Sequence, residues 1–254
     1  MGRSTKRKAP SHPSSAASIN NNANMWNSSS GSRRHHYKSG YGQPQSKPKP
    51  TINEKEAEKL FLEYADPDDS TIASMEGISK LCDALEIDPL SDIRILVLLW
   101  KLGANEKPAE ISQREWMAGC NKLQIDSLDK FKTLLPSLDT GFLAPSEFKE
   151  FYKFCFQFNR QGTHRTLDKD MVIALLGMIL TEGGRIPQDR LDSFCQFLES
   201  SKSYSRITLD QWTSFLDFCL ECEDLSSYDE ATSAWPVLID EYVEYMEDLQ
   251  TKGK

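Results

Sequence analysis

A Cys-x-x-Cys pair is the first set of residues in this chain that could bind a metal or carry redox chemistry. Cys219 and Cys222 have the spacing of zinc-binding or redox-active thiols. A zinc site needs further ligands, and the sequence places neither a second such pair nor a histidine close to these two cysteines. Because the pair falls within a helical apolar pattern, we expect Cys219 to be a core residue.

An acidic segment that begins at Asp66 could instead coordinate calcium. A calcium loop of the EF-hand type needs oxygen ligands at positions 1, 3 and 5, glycine at position 6 and a bidentate glutamate at position 12. Counted from Asp66, position 6 is Thr71 and position 12 is Gly77, so Glu76 falls one place short. We therefore expect a helix–loop–helix unit that has lost calcium, and we keep a calcium-responsive binding protein as the alternative function.

No arrangement typical of an enzyme emerges elsewhere in the sequence. Three of the four histidines lie among the first 50 residues, and none has a serine or cysteine partner in a recognisable arrangement. Glycine-rich phosphate loops, Walker sequences and His-Glu-x-x-His motifs are absent from the sequence. The sequence thus predicts a protein without catalytic residues, bound metal or cofactor.

Charge divides the chain into two parts. Residues 1–50 hold nine Lys or Arg and no Asp or Glu, whereas residues 51–254 hold 21 basic and 38 acidic residues. The first part is rich in Ser, Asn, Gly and Pro, and it cannot bury enough apolar surface to offset the entropy of ordering. We expect a disordered basic tail over residues 1–50 and a folded acidic domain over 51–254, which would repel nucleic acid.

The tail also bears on localisation. Lys6-Arg7-Lys8 and Arg33-Arg34 could serve as a nuclear localisation signal, or the tail could be only a solvating arm. The longest apolar run, from Met171 to Leu180, is too short to cross a bilayer, and the sequence shows no signal peptide. We expect a protein of the nucleus and cytoplasm that does not bind membranes and keeps its cysteines reduced.

The elements that must position any site are helices. Capping boxes occur at Ser112-x-x-Glu115 and Thr208-x-x-Gln211. Asp88 and Pro89 indicate the opening of a helix that runs from Ile93 to Leu102 and stops at Gly103; because it is apolar on every face, this helix should be central and buried. Sustained alternation of apolar and polar residues is absent, so strands should be minor. We find no repeat of fixed period, and the fold class is all-α.

The last predicted helix begins near Pro236 and is amphipathic. One apolar stripe recurs every three or four residues and consists of Trp235, Leu238, Ile239, Tyr242, Met246 and Leu249. Acidic residues occupy the opposite face: Asp240, Glu241, Glu244, Glu247 and Asp248. By periodicity alone this acidic face is a solvated surface. Asp210, in the first turn of the preceding helix, is explained equally well by a favourable interaction with the helix dipole.

The segment that leads into this helix resembles the hallmark of a known family. Ser227-Tyr228-Asp229-Glu230 followed by residues 234–244 is similar to the signature of the defective-in-cullin-neddylation (DCN1-like) family and its potentiating-neddylation (DCUN1) domain. Further blocks at Leu99–Leu102, Phe148–Tyr152 and Leu209–Trp212 extend the resemblance over residues 54–247. The family implies an all-helical fold built partly from EF-hand-like helix-loop-helix pairs without calcium.

The resemblance also implies a function. Members of the family act as scaffold-type co-ligases that hold a cullin C-terminal domain and the conjugating enzyme of the neddylation pathway together, while the ubiquitin-like modifier passes to a cullin lysine. The family implies no catalytic residue, and we expect a monomer. A regulator that binds cullin without promoting transfer is a further alternative, because the sequence cannot separate it from a co-ligase.

Two binding surfaces follow from the resemblance. The cullin-binding surface maps onto Asp210, Ala234 and Asp240, whose acids suit basic cullin residues and whose alanine permits close approach. The second surface is a hydrophobic pocket for the acetylated N-terminal methionine of the conjugating enzyme. It maps onto Ile78, Ile95, Leu98, Leu99, Leu102, Ile111, Phe158 and Met178.

Overall fold

A computed structural model of the chain describes residues 52–181, 184–222, 224–225, 228 and 234–252. The predicted basic tail over residues 1–50, with its two clusters that could form a nuclear signal, lies outside the described residues. The same is true of Ser227, Asp229 and Glu230 of the family hallmark.

Helices account for most of the described residues, which confirms the all-α prediction. Ten α-helices lie in this part of the chain: α1 Glu54–Tyr64, α2 Met75–Leu85, α3 Arg94–Leu102, α4 Gln113–Leu123, α5 Leu128–Leu134, α6 Pro145–Phe158, α7 Lys169–Leu180, α8 Gln188–Ser200, α9 Leu209–Glu221 and α10 Val237–Lys252. Two short 3-10 turns, Leu135–Ser137 and Thr140–Phe142, connect α5 to α6. None of the described helices is both long and apolar enough to cross a membrane.

Strands are indeed minor, as predicted: those in the described residues have three residues each and form two ribbons. Strand β1 (Ile72–Ser74) pairs antiparallel with β2 (Glu110–Ser112), and β3 (Thr166–Asp168) pairs antiparallel with β4 (Arg206–Thr208). The central residues face each other as Ala73 with Ile111 and Leu167 with Ile207, and all four are buried. Each ribbon therefore ties two interhelical loops together and adds its central side chains to the core.

The two ribbons belong to an internal structural repeat. The order α1–β1–α2–α3–β2–α4 recurs as α6–β3–α7–α8–β4–α9. In both halves the second strand leads into a capping box, at Ser112 and at Thr208, and a tryptophan follows four residues after the cap. The indole of Trp116 donates to the carbonyl of Ala57, and the indole of Trp212 donates to the carbonyl of Tyr152, both at 3.0 Å.

The sequence shows no repeat of fixed period, and the structure shows why. The equivalence rests on few positions, chiefly the cap and the tryptophan, and the loops between them differ in length. A search for a fixed period therefore does not detect it. Both predicted capping boxes are confirmed, since each cap hydroxyl accepts from the backbone N–H three residues on. The likeness of these units to EF-hands stays a prediction.

Helix α3 is the buried central helix that the sequence predicts. Ile95 to Leu99 and Leu102 are all buried, and Gly103 ends the helix in the left-handed conformation with φ of 88°. The predicted run from Ile93 to Leu102 agrees with the observed helix to within one residue, but Asp88 and Pro89 do not open it. The Asp88 carboxylate accepts from the backbone N–H of Leu90 (3.0 Å) and from the Ser91 hydroxyl (2.6 Å), which closes a separate turn. The helix begins only at Arg94, whose N–H donates to the carboxylate of Asp92 at 3.0 Å.

A very close helix contact holds α3 against α4. A Cβ atom placed on Gly119 of α4 would lie 2.5 Å from both the Cα and the carbonyl oxygen of Leu102. Only glycine fits at this crossing, because the obstructing atoms are backbone and cannot rotate away. The end of α3 is therefore fixed by backbone packing.

The last helix, α10, packs on α8 and α9 through the predicted apolar stripe. Leu238, Ile239 and Tyr242 are fully buried. The stripe weakens toward its end, where Leu249 is exposed. The acidic residues of α10 are accordingly at or near the surface.

Candidate functional site

An apolar cleft lies where α2, α3, the end of α6 and α7 meet, and its volume is about 230 Å³. Its wall is formed by Met75, Ile78, Pro89, Leu90, Ile95, Leu96, Leu99, Phe158, Asn159, Met171, Ala174, Leu175 and Met178. Met75, Leu90 and Met171 are exposed at 49%, 83% and 40% of their surface, which is unusual for large apolar side chains. These three residues line the cleft yet remain open to solvent.

Five of the eight residues assigned to the pocket by resemblance line this cleft: Ile78, Ile95, Leu99, Phe158 and Met178. The structure does not place the other three on its wall. Leu98, Leu102 and Ile111 are buried in the core, where each has at most 2% of its surface exposed. Because α3 is apolar on every face, its sequence pattern does not tell which of its side chains face the cleft.

Several cleft residues were missed by reasoning from the sequence. Leu90 belongs to the turn closed by Asp88, which was expected to be part of a helix. Met171 and Ala174 lie on α7, whose apolar residues are spread around the helix, so the pattern marks no lining face. Met75 and Met171 could have indicated the cleft from the sequence, because methionine is common at adaptable apolar binding surfaces.

The described wall of the cleft carries no charged side chain, and Asn159 supplies its polar group. The Asn159 side chain donates from Nδ2 to the carbonyl of Cys155 at 2.8 Å. A neutral apolar group entering the cleft would exchange water for apolar contacts. An ammonium group would lose its hydration without gaining a counter-ion, at a cost of about 2 kcal/mol or more.

The three residues assigned to cullin binding lie on α9, on α10 and on the segment before α10. Asp210 is exposed in the first turn of α9, and Asp240 is half-buried in the first turn of α10. Ala234 is exposed three residues before α10 begins. Helices α9 and α10 pack against each other, and the ring of Phe218, near the end of α9, contacts Tyr242 of α10.

Two tyrosines, Tyr228 and Tyr204, interact with Asp240 and Glu241 in the first turns of α10. The Tyr228 hydroxyl donates to Oδ1 of Asp240. Burial, with Glu241 and Asp240 as further causes, raises the pKa of Tyr204 to about 12. Tyr204 therefore stays protonated at physiological pH beside these carboxylates.

Of the Cys-x-x-Cys pair, Cys219 is a core residue, as the sequence predicts, and Cys222 is partly buried. Cys219 is buried, and burial raises the pKa of its thiol to about 12, far from the range of a reactive thiolate. The Cys222 Sγ donates to the carbonyl of Asp224 at 3.4 Å. Within the described part of the chain, no group of three or more His, Cys, Asp or Glu side chains is placed to hold a metal.

The acidic loop after α1 is closed by its own hydrogen bonds. The Asp66 Oδ1 accepts from the backbone N–H of Ser74 at 3.0 Å and from the Ser74 hydroxyl at 2.8 Å. The Asp69 Oδ1 accepts from the N–H and the hydroxyl of Thr71 at 2.9 and 2.6 Å. These carboxylates thus serve the loop and the β1–β2 ribbon that follows it.

Comparison with known proteins gives consistent matches. A family model described as Cullin binding matches residues 130–245. The chain is 38% identical over 191 residues to human DCN1-like protein 4, covering 75% of this chain and 62% of that protein, so it spans less than two thirds of this relative.

Two further relatives are covered more fully. Human DCN1-like protein 5 is 38% identical over 192 residues, which is 75% of this chain and 77% of that protein. DCN1-like protein 4 of Drosophila melanogaster is 34% identical over 197 residues, or 77% and 76% of the two chains. The chain therefore belongs to the DCN1-like protein family.

Proposed function

We propose that this protein is a non-catalytic co-ligase that promotes cullin neddylation. It binds a cullin C-terminal domain with one surface and the acetylated N-terminus of the neddylation conjugating enzyme with another. The match to a Cullin binding family model and the DCN1-like relatives support the first partner. The uncharged cleft supports the second.

The observation that carries the proposal is the lack of charge on the described wall of the cleft. An N-terminal amine is an ammonium at neutral pH, and acetylation converts it to a neutral amide. A methionine side chain suits a cleft lined by Met75, Met171 and Met178, because thioethers adapt to irregular apolar space. Acetylation would therefore act as the condition for binding.

The acids at the starts of α9 and α10 support the proposed cullin surface. Asp210 is exposed, and Asp240 is partly so, which leaves both available to basic groups of a partner. Ala234 projects no long side chain that would keep a partner away. Complementary charges of this kind raise association rates and fix orientation more than they raise affinity.

The mechanism that follows is proximity and orientation. The co-ligase holds the charged conjugating enzyme and the cullin lysine in one complex, which lowers the entropic cost of their encounter. No bond-making step is assigned to a residue of this chain. The modifier transfers from the conjugating enzyme to the cullin lysine in the usual way.

A transfer assay tests the proposal. The rate of modifier transfer to a cullin C-terminal domain is measured with wild-type protein, with Asp210→Lys and with Asp129→Lys. Asp129 is a matched control, since it is also exposed in the first turn of a helix, but on α5, which packs against α2. We expect wild type and Asp129→Lys to accelerate transfer and Asp210→Lys to do so at least about tenfold less.

Two results would contradict the co-ligase function and favour one of the alternative functions. A wild-type protein that binds cullin and leaves the transfer rate unchanged would be a regulator without co-ligase activity. Heat release or a spectral change on calcium titration, in the absence of any effect on transfer, would favour the calcium-responsive alternative.

Peptide binding tests the second surface separately. Peptides with the N-terminal sequence of the conjugating enzyme are compared with and without the acetyl group, by fluorescence anisotropy. We expect the acetylated peptide to bind at least about tenfold more tightly, because the free amine must be desolvated. Equal affinities of the two peptides would show that the cleft does not recognise the acetyl group.

A further inference from the structure

Tyr228 occupies the connection between α9 and α10 and contacts both helices. Its ring meets Phe218 of α9 edge-on, with centroids 5.7 Å apart and planes at 82°. Its hydroxyl donates to Oδ1 of Asp240 in the first turn of α10. One side chain thus joins a buried aromatic residue of α9 to an acid of the proposed cullin surface.

Phe218 also contacts a second residue of the connection between α9 and α10, Trp235. Trp235 packs edge-on against it, with centroids 5.9 Å apart and planes at 83°. Phe218 itself is fully buried, and the guanidinium of Arg190 lies 5.5 Å from its ring centroid. Tyr228 and Trp235, the residue that follows Ala234 in the chain, therefore both pack against the ring of Phe218.

Asp240 is the acid whose orientation this arrangement determines. A half-buried carboxylate with a tyrosine hydroxyl on one oxygen has fewer rotamers available than a fully solvated one. A side chain that is already oriented loses less entropy when it pairs with a basic partner. The Tyr228 hydroxyl occupies one acceptor position of Oδ1, and the carboxylate keeps further acceptor positions with which it can bind a basic partner.

We propose that Tyr228 is a positioning residue of the cullin-binding surface, which packs its ring on Phe218 and orients Asp240 through its hydroxyl. The inference rests on the proposed function of that surface. It assigns a role to a tyrosine that acts through its neighbours. The partner it serves is a basic protein surface, because the group it orients is a carboxylate.

Tyr242 supplies a matched control on α10 itself. Its hydroxyl lies 2.7 Å from the Ser193 hydroxyl of α8 and points into the packed side of the helix. Tyr242→Phe and Tyr228→Phe each delete one hydrogen-bonded hydroxyl and keep an aromatic ring. The two variants therefore differ in whether the lost hydroxyl acts on Asp240.

The test is a double-mutant cycle on binding to a cullin C-terminal domain, measured by calorimetry with full-length protein. It uses wild type, Tyr228→Phe, Asp240→Ala, the double variant and Tyr242→Phe, with thermal unfolding of each. We expect Tyr228→Phe to bind about five- to tenfold more weakly than wild type. In the Asp240→Ala background the same change should alter affinity less than about twofold.

The control should show the opposite pattern, with affinity within about twofold of wild type and a lowered unfolding temperature. Equal affinity of Tyr228→Phe and wild type, or effects of Tyr228→Phe and Asp240→Ala that simply multiply, would overturn the positioning role while the proposed function stands. Failure of the wild-type protein to bind the cullin domain would overturn both.

Discussion

Tyr152 and Trp212 exchange hydrogen bonds across the α6–α9 interface. The indole of Trp212 donates to the carbonyl of Tyr152 at 3.0 Å, and the hydroxyl of Tyr152 donates to the carbonyl of Trp212 at 3.1 Å. Their rings stack with centroids 4.3 Å apart and an interplanar angle of 13°. In the first half of the repeat the indole of Trp116 donates to the carbonyl of Ala57, and the alanine side chain has no hydroxyl that could donate a bond in return.

This pairing predicts the cost of removing each tryptophan. Trp212→Phe and Trp116→Phe each delete one buried donor and leave space that a phenyl ring does not fill. We expect each to lower the free energy of unfolding by about 2–4 kcal/mol, because each indole also stacks on a neighbouring ring, Trp212 on Tyr152 and Trp116 on Phe131. Urea denaturation measures the difference, and a cost below about 0.5 kcal/mol for either variant would contradict it.

The contact between Gly119 and Leu102 predicts that alanine is not tolerated there. Gly119→Ala would force α3 and α4 apart and should destabilise the protein by about 1–3 kcal/mol. Gly177→Ala is the matched control, because a Cβ added to Gly177 of α7 would meet no atom within 4 Å. We expect the control to stabilise by about 0.5–1 kcal/mol through helix propensity. Thermal unfolding distinguishes the two signs.

Filling the cleft from its mouth should abolish binding of the acetylated peptide. Ala174 is exposed on α7 and lines the cleft, so Ala174→Trp places an indole in the mouth without displacing a core residue. We expect affinity for the acetylated peptide to fall at least about tenfold with an unchanged unfolding temperature. Lys55→Trp, on the exposed face of α1, controls for an added surface indole. Retained affinity in Ala174→Trp would place the peptide elsewhere.

The pair of Asp92 and Arg94 predicts a pH dependence of stability. Hydrogen bonds from the Arg94 side chain hold the pKa of Asp92 below its usual value of 3.8. The stabilisation is fully present above the unfolded-state pKa and is lost as the pH falls through the lower folded-state pKa. The gap in unfolding free energy between wild type and Asp92→Asn should therefore shrink from a pH of about 5 to a pH of about 2.

Carboxyl NMR titration checks the cause of that dependence. In Arg94→Gln the pKa of Asp92 should rise toward 3.8, because its principal hydrogen-bond donor is gone. A gap that stays constant across the acid range, or an Asp92 pKa that does not respond to Arg94→Gln, would show that the pair does not contribute.

Local signals in the sequence were enough to predict the helices. Local hydrogen bonds form the capping boxes at Ser112 and Thr208 and end α3 at Gly103, so these features could be predicted from a few neighbouring residues. The stripe of α10 could be predicted from the spacing of its apolar residues. The structure confirms the caps, the end of α3 and the burial of Leu238, Ile239 and Tyr242. The Asp88–Pro89 turn was misassigned because an aspartate that caps a helix and one that closes a turn make the same local hydrogen bonds.

The cleft could be predicted only in part, for a reason that concerns α3. Its side chains are apolar in all directions, so Leu98 and Leu99 are equivalent in sequence, yet Leu98 is in the core and Leu99 lines the cleft. Which one faces the cleft depends on how α2 and α7 pack, which is a long-range property. The same holds for the link between Tyr228 and Asp240, since neither residue type predicts the other as its partner.

The crossing at Gly119 also determines how the two sides of the cleft can yield. The backbone of α4 at Gly119 blocks a shift of the end of α3 toward α4, so this helix has little room to move in that direction. The opposite side presents the unbranched thioether chains of Met171 and Met178, which change rotamer at little cost. A guest slightly too bulky for the space would turn sulfur-bearing chains aside long before it moved a helix.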